Sequence, residues 1–266
     1  MNVHPSSTAA VALGARAQEP GRRILGVDVV PLDQEQAIRL LGRRVADRQF
    51  TKVGFLNAHI ANIASKTPEF SRILEDFLVF SDGIGVDLAS RILYGAPFPA
   101  NLNGTDFVPA FLKSQKGPLT VGLLGATRKN AEEAVNRLQR LVPQHRVVLI
   151  HDGYFDPTRE EEILSRLKRE RPDVLLVAMG VPRQECWIAS RLTGEHCTMA
   201  FAVGALLDFL SGAIPRAPGW VRRLRLEWLF RLILEPGRLW RRYIVGNPMF
   251  LFRVLRQRLR MTVPRS

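Results

Sequence analysis

From residue 24 onward the chain alternates two hydrophobic patterns. Short runs dense in Val, Ile, Leu and Phe occupy 24–30, 52–57, 79–81, 119–125, 146–151, 173–179 and 198–203. Between them lie 33–48, 68–77, 86–93, 106–113, 130–141, 158–171 and 183–192, where apolar residues recur every three or four positions among charged ones. The first pattern predicts strands and the second amphipathic helices. Val174-Leu175-Leu176-Val177-Ala178 is apolar throughout, as a strand covered on both faces must be. The alternation predicts an α/β fold, a parallel Rossmann-like sheet covered by helices on both faces.

After Gly204 the pattern changes. Residues 206–210 continue a helix, Gly212 and Pro215 break it, and from Gly219 the chain is rich in Arg, Leu, Trp and Phe. Interruptions at Glu235-Pro236 and Asn247-Pro248 divide that stretch into two or three short amphipathic helices. The expected organisation is a disordered tail over 1–22, an α/β domain over 23–215 and a basic helical appendage over 216–266.

Charge sharpens this division. The net charge is +13, and 216–266 alone holds 13 Arg against Glu227 and Glu235, leaving the preceding residues nearly neutral. Such a segment suits nucleic acid, an anionic membrane surface or a polyanionic ligand. Trp, Leu, Ile and Phe are dense among Arg222, Arg223, Arg231 and Arg238, which disfavours nucleic acid and favours the interface of anionic lipid. A helix packed on its own domain with solvated arginines is the plainer alternative. No run reaches the roughly 18–20 apolar residues of a membrane span. The apolar run at 9–15 has no basic stretch before it and is too short for an export signal.

At 46% hydrophobic and 24% charged residues the chain is not disordered as a whole. Two cysteines, Cys186 and Cys197, cannot make a disulfide framework, and they read as core residues of a protein from a reducing compartment. His4, His59, His145, His151 and His196 show no metal-ligand spacing, there is no Asp-x-Asp pair for a nucleotide-bound cation, and no nucleophile elbow is present, so no metal or cofactor is expected.

Ligands of parallel α/β sheets bind beyond the carboxyl ends of the strands. Six polar or glycine-rich segments fall there: Asn57, Asp82-Gly83-Ile84-Gly85, Gly125-Ala126-Thr127-Arg128, Asp152-Gly153-Tyr154-Phe155, Gly180 to Glu185, and Gly204-Ala205. Together they predict a ligand-binding rim. Neither G-x-G-x-x-G nor a Walker A sequence occurs. Gly125, Thr127 and Arg128 fit a diphosphate at a helix start, or equally a plain turn capped by Thr127. Asp82 fits a general base for an attacking hydroxyl, or the N-cap of the helix that follows.

Taken in order, these loops resemble the WecG/TagA/CpsF family of bacterial glycosyltransferases over about residues 24–245. The most specific matches are Gly180-x-Pro182-x-Gln184-Glu185, Gly204-x-x-x-Asp208, Gly212, Arg216-Ala217-Pro218-x-Trp220, Leu226-Glu227-Trp228-x-x-Arg231 and Glu235-Pro236-x-Arg238. Asn57, Asp82-Gly83-x-Gly85, Gly104-Thr105-Asp106 and Gly153-Tyr154-Phe155 fit as well.

The resemblance implies an inverting, metal-independent transfer of a hexose or N-acetylhexosamine from a UDP-sugar to a polyprenyl-diphosphate-linked saccharide. The setting it implies is the cytoplasmic face of the inner membrane, held peripherally, in exopolysaccharide, capsule or cell-wall polymer synthesis. Asp82 becomes the base. Asn57, Gly83, Gly104, Thr105, Asp106, Gly125, Thr127, Arg128, Gly180, Gln184, Glu185, Gly204 and Arg216 become substrate-binding residues. Arg222, Arg223, Arg231 and Arg238 would meet diphosphate and lipid headgroups. Self-association stays open. The chain departs from the family pattern at Phe55, where Thr is frequent, and at Ala100-Asn101, where Glu-Arg is frequent. Loss of a hydroxyl and an arginine implies a different sugar, so N-acetylmannosamine is not carried over, and glucose suits the chain at least as well. A non-catalytic membrane-associated protein on the same fold is the alternative.

Overall fold

The computed structural model describes residues 21–223 and 226–262. The apolar runs become strands β1 (Arg22–Ile24), β2 (Val27–Val29), β3 (Thr51–Leu56), β4 (Phe77–Ser81), β5 (Thr120–Gly125), β6 (Arg146–His151), β7 (Val174–Ala178) and β8 (Met199–Ala202). The periodic stretches become α1 (Gln34–Ala46), α2 (Ala58–Ala64), α3 (Pro68–Glu75), α4 (Ile84–Tyr94), α5 (Gly104–Ser114), α6 (Arg128–Leu141), α7 (Glu160–Glu170), α8 (Arg183–Arg191) and α9 (Leu206–Ser211). The C-terminal segment forms α10 (Gly219–Arg223), α11 (Glu227–Leu234), α12 (Pro236–Trp240), a π turn over Arg241–Val245, and α13 (Gly246–Thr262).

Strands β3 to β8 make one parallel sheet in the order β4-β3-β8-β7-β5-β6. Alternate residues of each strand enter opposite cores. Leu56, Val79, Leu124, Leu175, Val177 and Ala200 face one core, together with residues of α2, α3, α4, α7 and α8. Val53, Phe80, Val121, Leu123, Leu176 and Phe201 face the other, with residues of α1, α5, α6 and α9. The expected doubly covered parallel sheet is therefore present.

Three expectations need correction. The run at 24–30 is not a sheet strand but a hairpin: Leu25 (φ 49°) and Gly26 (φ 93°) are both left-handed, turning β1 back on antiparallel β2. Helix α2 has only 7 residues and directly follows β3, too short a span for a clear helical period. The C-terminal breaks are weaker than expected, because Pro236 occupies the first turn of α12 and Pro248 the first turn of the 17-residue α13, where a missing N–H costs little. Of the tail expected over 1–22, residues 1–20 lie outside the described residues. Arg22 opens β1 and donates to the carbonyls of Ala96 (2.9 Å) and Pro97 (2.7 Å).

Helix α13 lies against α2 and α4, and its Phe250 and Val254 are buried in the core they share with the sheet. Its outward side chains Phe252, Leu255 and Leu259 are exposed, as are Ile233 of α11 and Ile244 of the π turn. Among the described residues no helix is long and apolar enough to cross a membrane.

Candidate active site

At the carboxyl edge of the sheet, neighbouring strands β3 and β8 send their following helices to opposite faces: α2 packs into one core and α9 into the other. Such a switch point leaves a crevice between the two chain crossings. A cleft of about 470 Å³ occupies it, and the ends of all six sheet strands contribute: Asn57, Asp82, Ala126 and Thr127, Gly153, Gly180 and Gln184, and Gly204. Arg231 of α11, Arg238 of α12 and Arg242 of the π turn close it from the C-terminal side. A second cavity of about 340 Å³ adjoins it, lined by Gly83, Ile84 and Leu88 with Trp228, Tyr243 and Phe250. Asn57, His59, Asp82, Thr105, Phe209, Arg231 and Arg242 line both.

Asp82 lies where the two spaces meet, and two neighbours fix its position. Its backbone N–H donates to Leu56 O (2.8 Å), extending the β3–β4 pairing by one residue. Its Oδ2 accepts a hydrogen bond from Asn57 Nδ2 (3.1 Å). Asn57 is itself held, because its Oδ1 caps α2 by accepting from the N–H groups of His59 and Ile60 (both 3.1 Å). Burial raises the Asp82 carboxyl above the usual aspartate value, opposed by the Asn57 hydrogen bond and the charges of Arg242 and Arg231. Asp82 does not cap α4: the N-cap is Gly83 (φ 92°), whose N–H donates to Asn101 Oδ1 (2.7 Å). Asn101 thus orders the turn that carries Asp82.

Among the described residues, neither Arg231 nor Arg242 makes an ion pair, and each keeps a buried Nε–H without a protein partner. Burial lowers the affinity of the Arg242 guanidinium for its proton. Two guanidinium groups without ion pairs thus share the cleft with the Asp82 carboxylate, and their unpartnered buried N–H donors suit an anionic ligand. Among the described residues no cluster of three or more His, Cys, Asp or Glu side chains is placed to hold a metal ion.

Phe55 occupies the wall beneath this site. It packs with Phe80, Phe107 and Phe201 at ring separations of 6.3–6.4 Å, and a Cβ on Gly104 would approach its ring to 3.0 Å. The absent side chain of Gly104 and the bulk of Phe55 fit each other.

Other expected site residues stand elsewhere. Thr127 lines the cleft and also caps α6, accepting from Asn130 N–H (3.3 Å). Arg128 pairs along α6 with Glu132 (2.5 Å), outside the cleft. Gly125 serves the backbone: at φ 140°, a Cβ there would collide with the main chain of Ala178. Arg216 bridges Asp106 (2.7 Å) and Glu227 (3.6 Å), so both Arg216 and Asp106 act as a strut between α5 and α11 and line a separate groove. Arg216 and Arg231 each lie over the ring of Phe209, at 5.4 and 5.3 Å. The side chains of Arg222 and Arg223 lie outside the described residues. Sequence reasoning missed His59 and Arg242 as individual site residues, although the run of cations and aromatics at 238–243 carried a signal for the latter.

Gln184 and Glu185 divide their roles. Gln184 lines the cleft, donates Nε2–H to Glu185 Oε1 (2.8 Å) and accepts from Gly204 N–H through Oε1 (3.1 Å). Glu185 is buried behind it at 2% exposure, and this burial pushes its carboxyl up to about 7. A proton retained by the folded chain above pH 4.5 but released by the unfolded chain makes stability fall as pH rises toward and through 7. Glu185→Gln removes that loss. Its thermal midpoint is expected to gain on the parent between pH 5 and pH 8, by the equivalent of about 3 kcal/mol at roughly 1.4 kcal/mol per pK unit. Parallel melting curves at the two pH values check this, and an unchanged difference would place Glu185 in an ordinary titrating environment.

A model of the glycosyl transferase WecG/TagA/CpsF family matches residues 22–263. The chain belongs to this family. Among its relatives, the N-acetylglucosaminyldiphosphoundecaprenol N-acetyl-beta-D-mannosaminyltransferase of Bacillus spizizenii is 30% identical over 203 residues, covering 75% of this chain and 77% of that protein. The Staphylococcus aureus protein of the same name is 29% identical over 235 residues, covering 87% and 91%. Membership makes the chain a glycosyltransferase, and the match runs through the C-terminal arginines as well as the sheet.

Proposed function

We propose that the chain is an inverting glycosyltransferase that moves a hexose or N-acetylhexosamine from a UDP-sugar onto a polyprenyl-diphosphate-linked saccharide at a membrane surface. The observation that carries this reading is the placing of Asp82 with Arg231 and Arg242, whose buried Nε–H groups have no hydrogen-bond partner among the described residues, in a cleft formed by six strand ends. The acceptor hydroxyl would give its proton to Asp82 as its oxygen attacks the anomeric carbon, and the bond to UDP would break on the opposite side. A carboxyl raised by burial is a stronger base than an exposed one. Arg231, Arg238 and Arg242 would meet the charge developing on the departing diphosphate, where water exclusion strengthens each contact. Gln184, Gly180 and Thr127 line the donor side.

The acceptor class is carried over from the relatives, named for action on an N-acetylglucosaminyl lipid diphosphate. Membrane association is supported by residues 216–266, where Ile233, Ile244, Phe252 and Leu259 are exposed among arginines. The donor is not taken from the relatives, because Phe55 and Asn101 alter the wall and turn beside Asp82. Incubating the chain with a panel of UDP-sugars and a synthetic prenyl-diphosphate saccharide tests the proposal. Transfer is expected from at least one donor and only with the lipid-linked acceptor. A folded chain that transfers none and releases no heat on titration with UDP would be a non-catalytic scaffold.

A further inference from the structure

We infer that His59 is a binding residue of the transfer site, hydrogen-bonding a hydroxyl of the donor's sugar ring where the two cavities meet. This rests on the donor-transfer reading above and adds a contact to it. Four observations carry it. His59 lines both cavities, so it stands where they adjoin. Its backbone N–H is tied to Asn57 Oδ1 (3.1 Å), and the same asparagine holds Asp82, which fixes the main chain of His59 relative to the carboxylate. Among the described residues its ring nitrogens have no hydrogen-bond partner, which leaves both open to a ligand. Finally, burial and the neighbouring charge of Arg242 hold its titration down to about 4, so it is uncharged at neutral pH.

An uncharged imidazole has one N–H donor and one acceptor nitrogen. That matches a sugar hydroxyl, which both gives and accepts. It suits a diphosphate poorly, because phosphate oxygens only accept and are better served by the guanidinium groups alongside. Burial is thus the main cause that keeps His59 in the form that reads a hydroxyl, and the charge of Arg242 adds to it.

The test is calorimetric binding of UDP, UDP-glucose and UDP-N-acetylmannosamine to the full chain without acceptor, compared with His59→Ala and His59→Gln. His59→Ala is expected to bind UDP within about twofold of the parent, and to lose about 5–10-fold for at least one sugar nucleotide, the value of one hydrogen bond. His59→Gln, which keeps a donor and an acceptor, is expected to recover part of that loss. Unaltered UDP binding also verifies that the variants are folded. Equal losses for UDP and the sugar nucleotides would assign His59 to the uracil, ribose or diphosphate they share and overturn the inference, as would no loss for either sugar nucleotide. Failure of the Asp82 assignment would show elsewhere, as turnover by an Asp82 variant.

Discussion

Asp82→Asn is expected to lower kcat for sugar transfer by about 10²–10⁴-fold, the usual contribution of a general base. UDP affinity should stay within about twofold. Asparagine has nearly the same shape and can still meet Asn57, so the turn from β4 into α4 keeps its Leu56 and Asn101 hydrogen bonds. What disappears is the capacity to take a proton. The parent enzyme should show the matching pH dependence. A base works deprotonated, so activity falls as pH drops through its titration, and burial places that fall above the range of an exposed aspartate. Arg242→Gln removes a charge that favours the carboxylate, and should move the acidic limb to still higher pH. Turnover by folded Asp82→Asn near that of the parent would remove the assignment.

Phe250→Ala should destabilise the whole chain by about 3–5 kcal/mol, the range for truncating a buried aromatic. For a protein of this length that corresponds to roughly 10 °C in Tm. Phe250 is 1% exposed, and it enters, with Val254, the same core as α2, α4 and the sheet. A freely appended membrane helix would give no such effect, since its apolar face would be satisfied by lipid rather than by protein. The same packing means that removing α13 uncovers α2 and α4, and α2 carries Asn57 and His59 at its start. Thermal unfolding of Phe250→Ala is the check. A midpoint within about 2 °C of the parent would show that α13 adds nothing to the core.

The parallel sheet and most of its flanking helices were legible in the order of residues, because burial on two faces demands continuous apolar strands while one-sided burial demands a helical period. Val174–Ala178 and Gln34–Ala46 show the two cases. The hairpin at Leu25-Gly26 was not legible, because a left-handed Leu leaves no mark on a hydrophobic pattern. Nor was α2, whose short span is stabilised mainly by its Asn57 cap and its packing.

Within the site, residue types at strand ends marked the rim, and Asn57, Asp82, Gln184 and Gly204 do face the cleft. Arg128 and Glu185, next in sequence to the cleft residues Thr127 and Gln184, do not, since one residue's displacement along a helix turns a side chain about 100° away.

By itself, the sequence determined the layered architecture, the concentration of charge in the C-terminal fifth and the list of polar groups at the sheet's carboxyl edge. Periodicity and composition are local properties, readable without knowing what touches what. Only the tertiary structure decided that Arg242 stands near Asp82 while Arg216 serves as a strut, that α13 belongs to the core, and that His59 sits where two cavities join. Those outcomes depend on contacts between residues as far apart as 82 and 242, which no local pattern encodes, and on which charges the folded chain leaves without a partner.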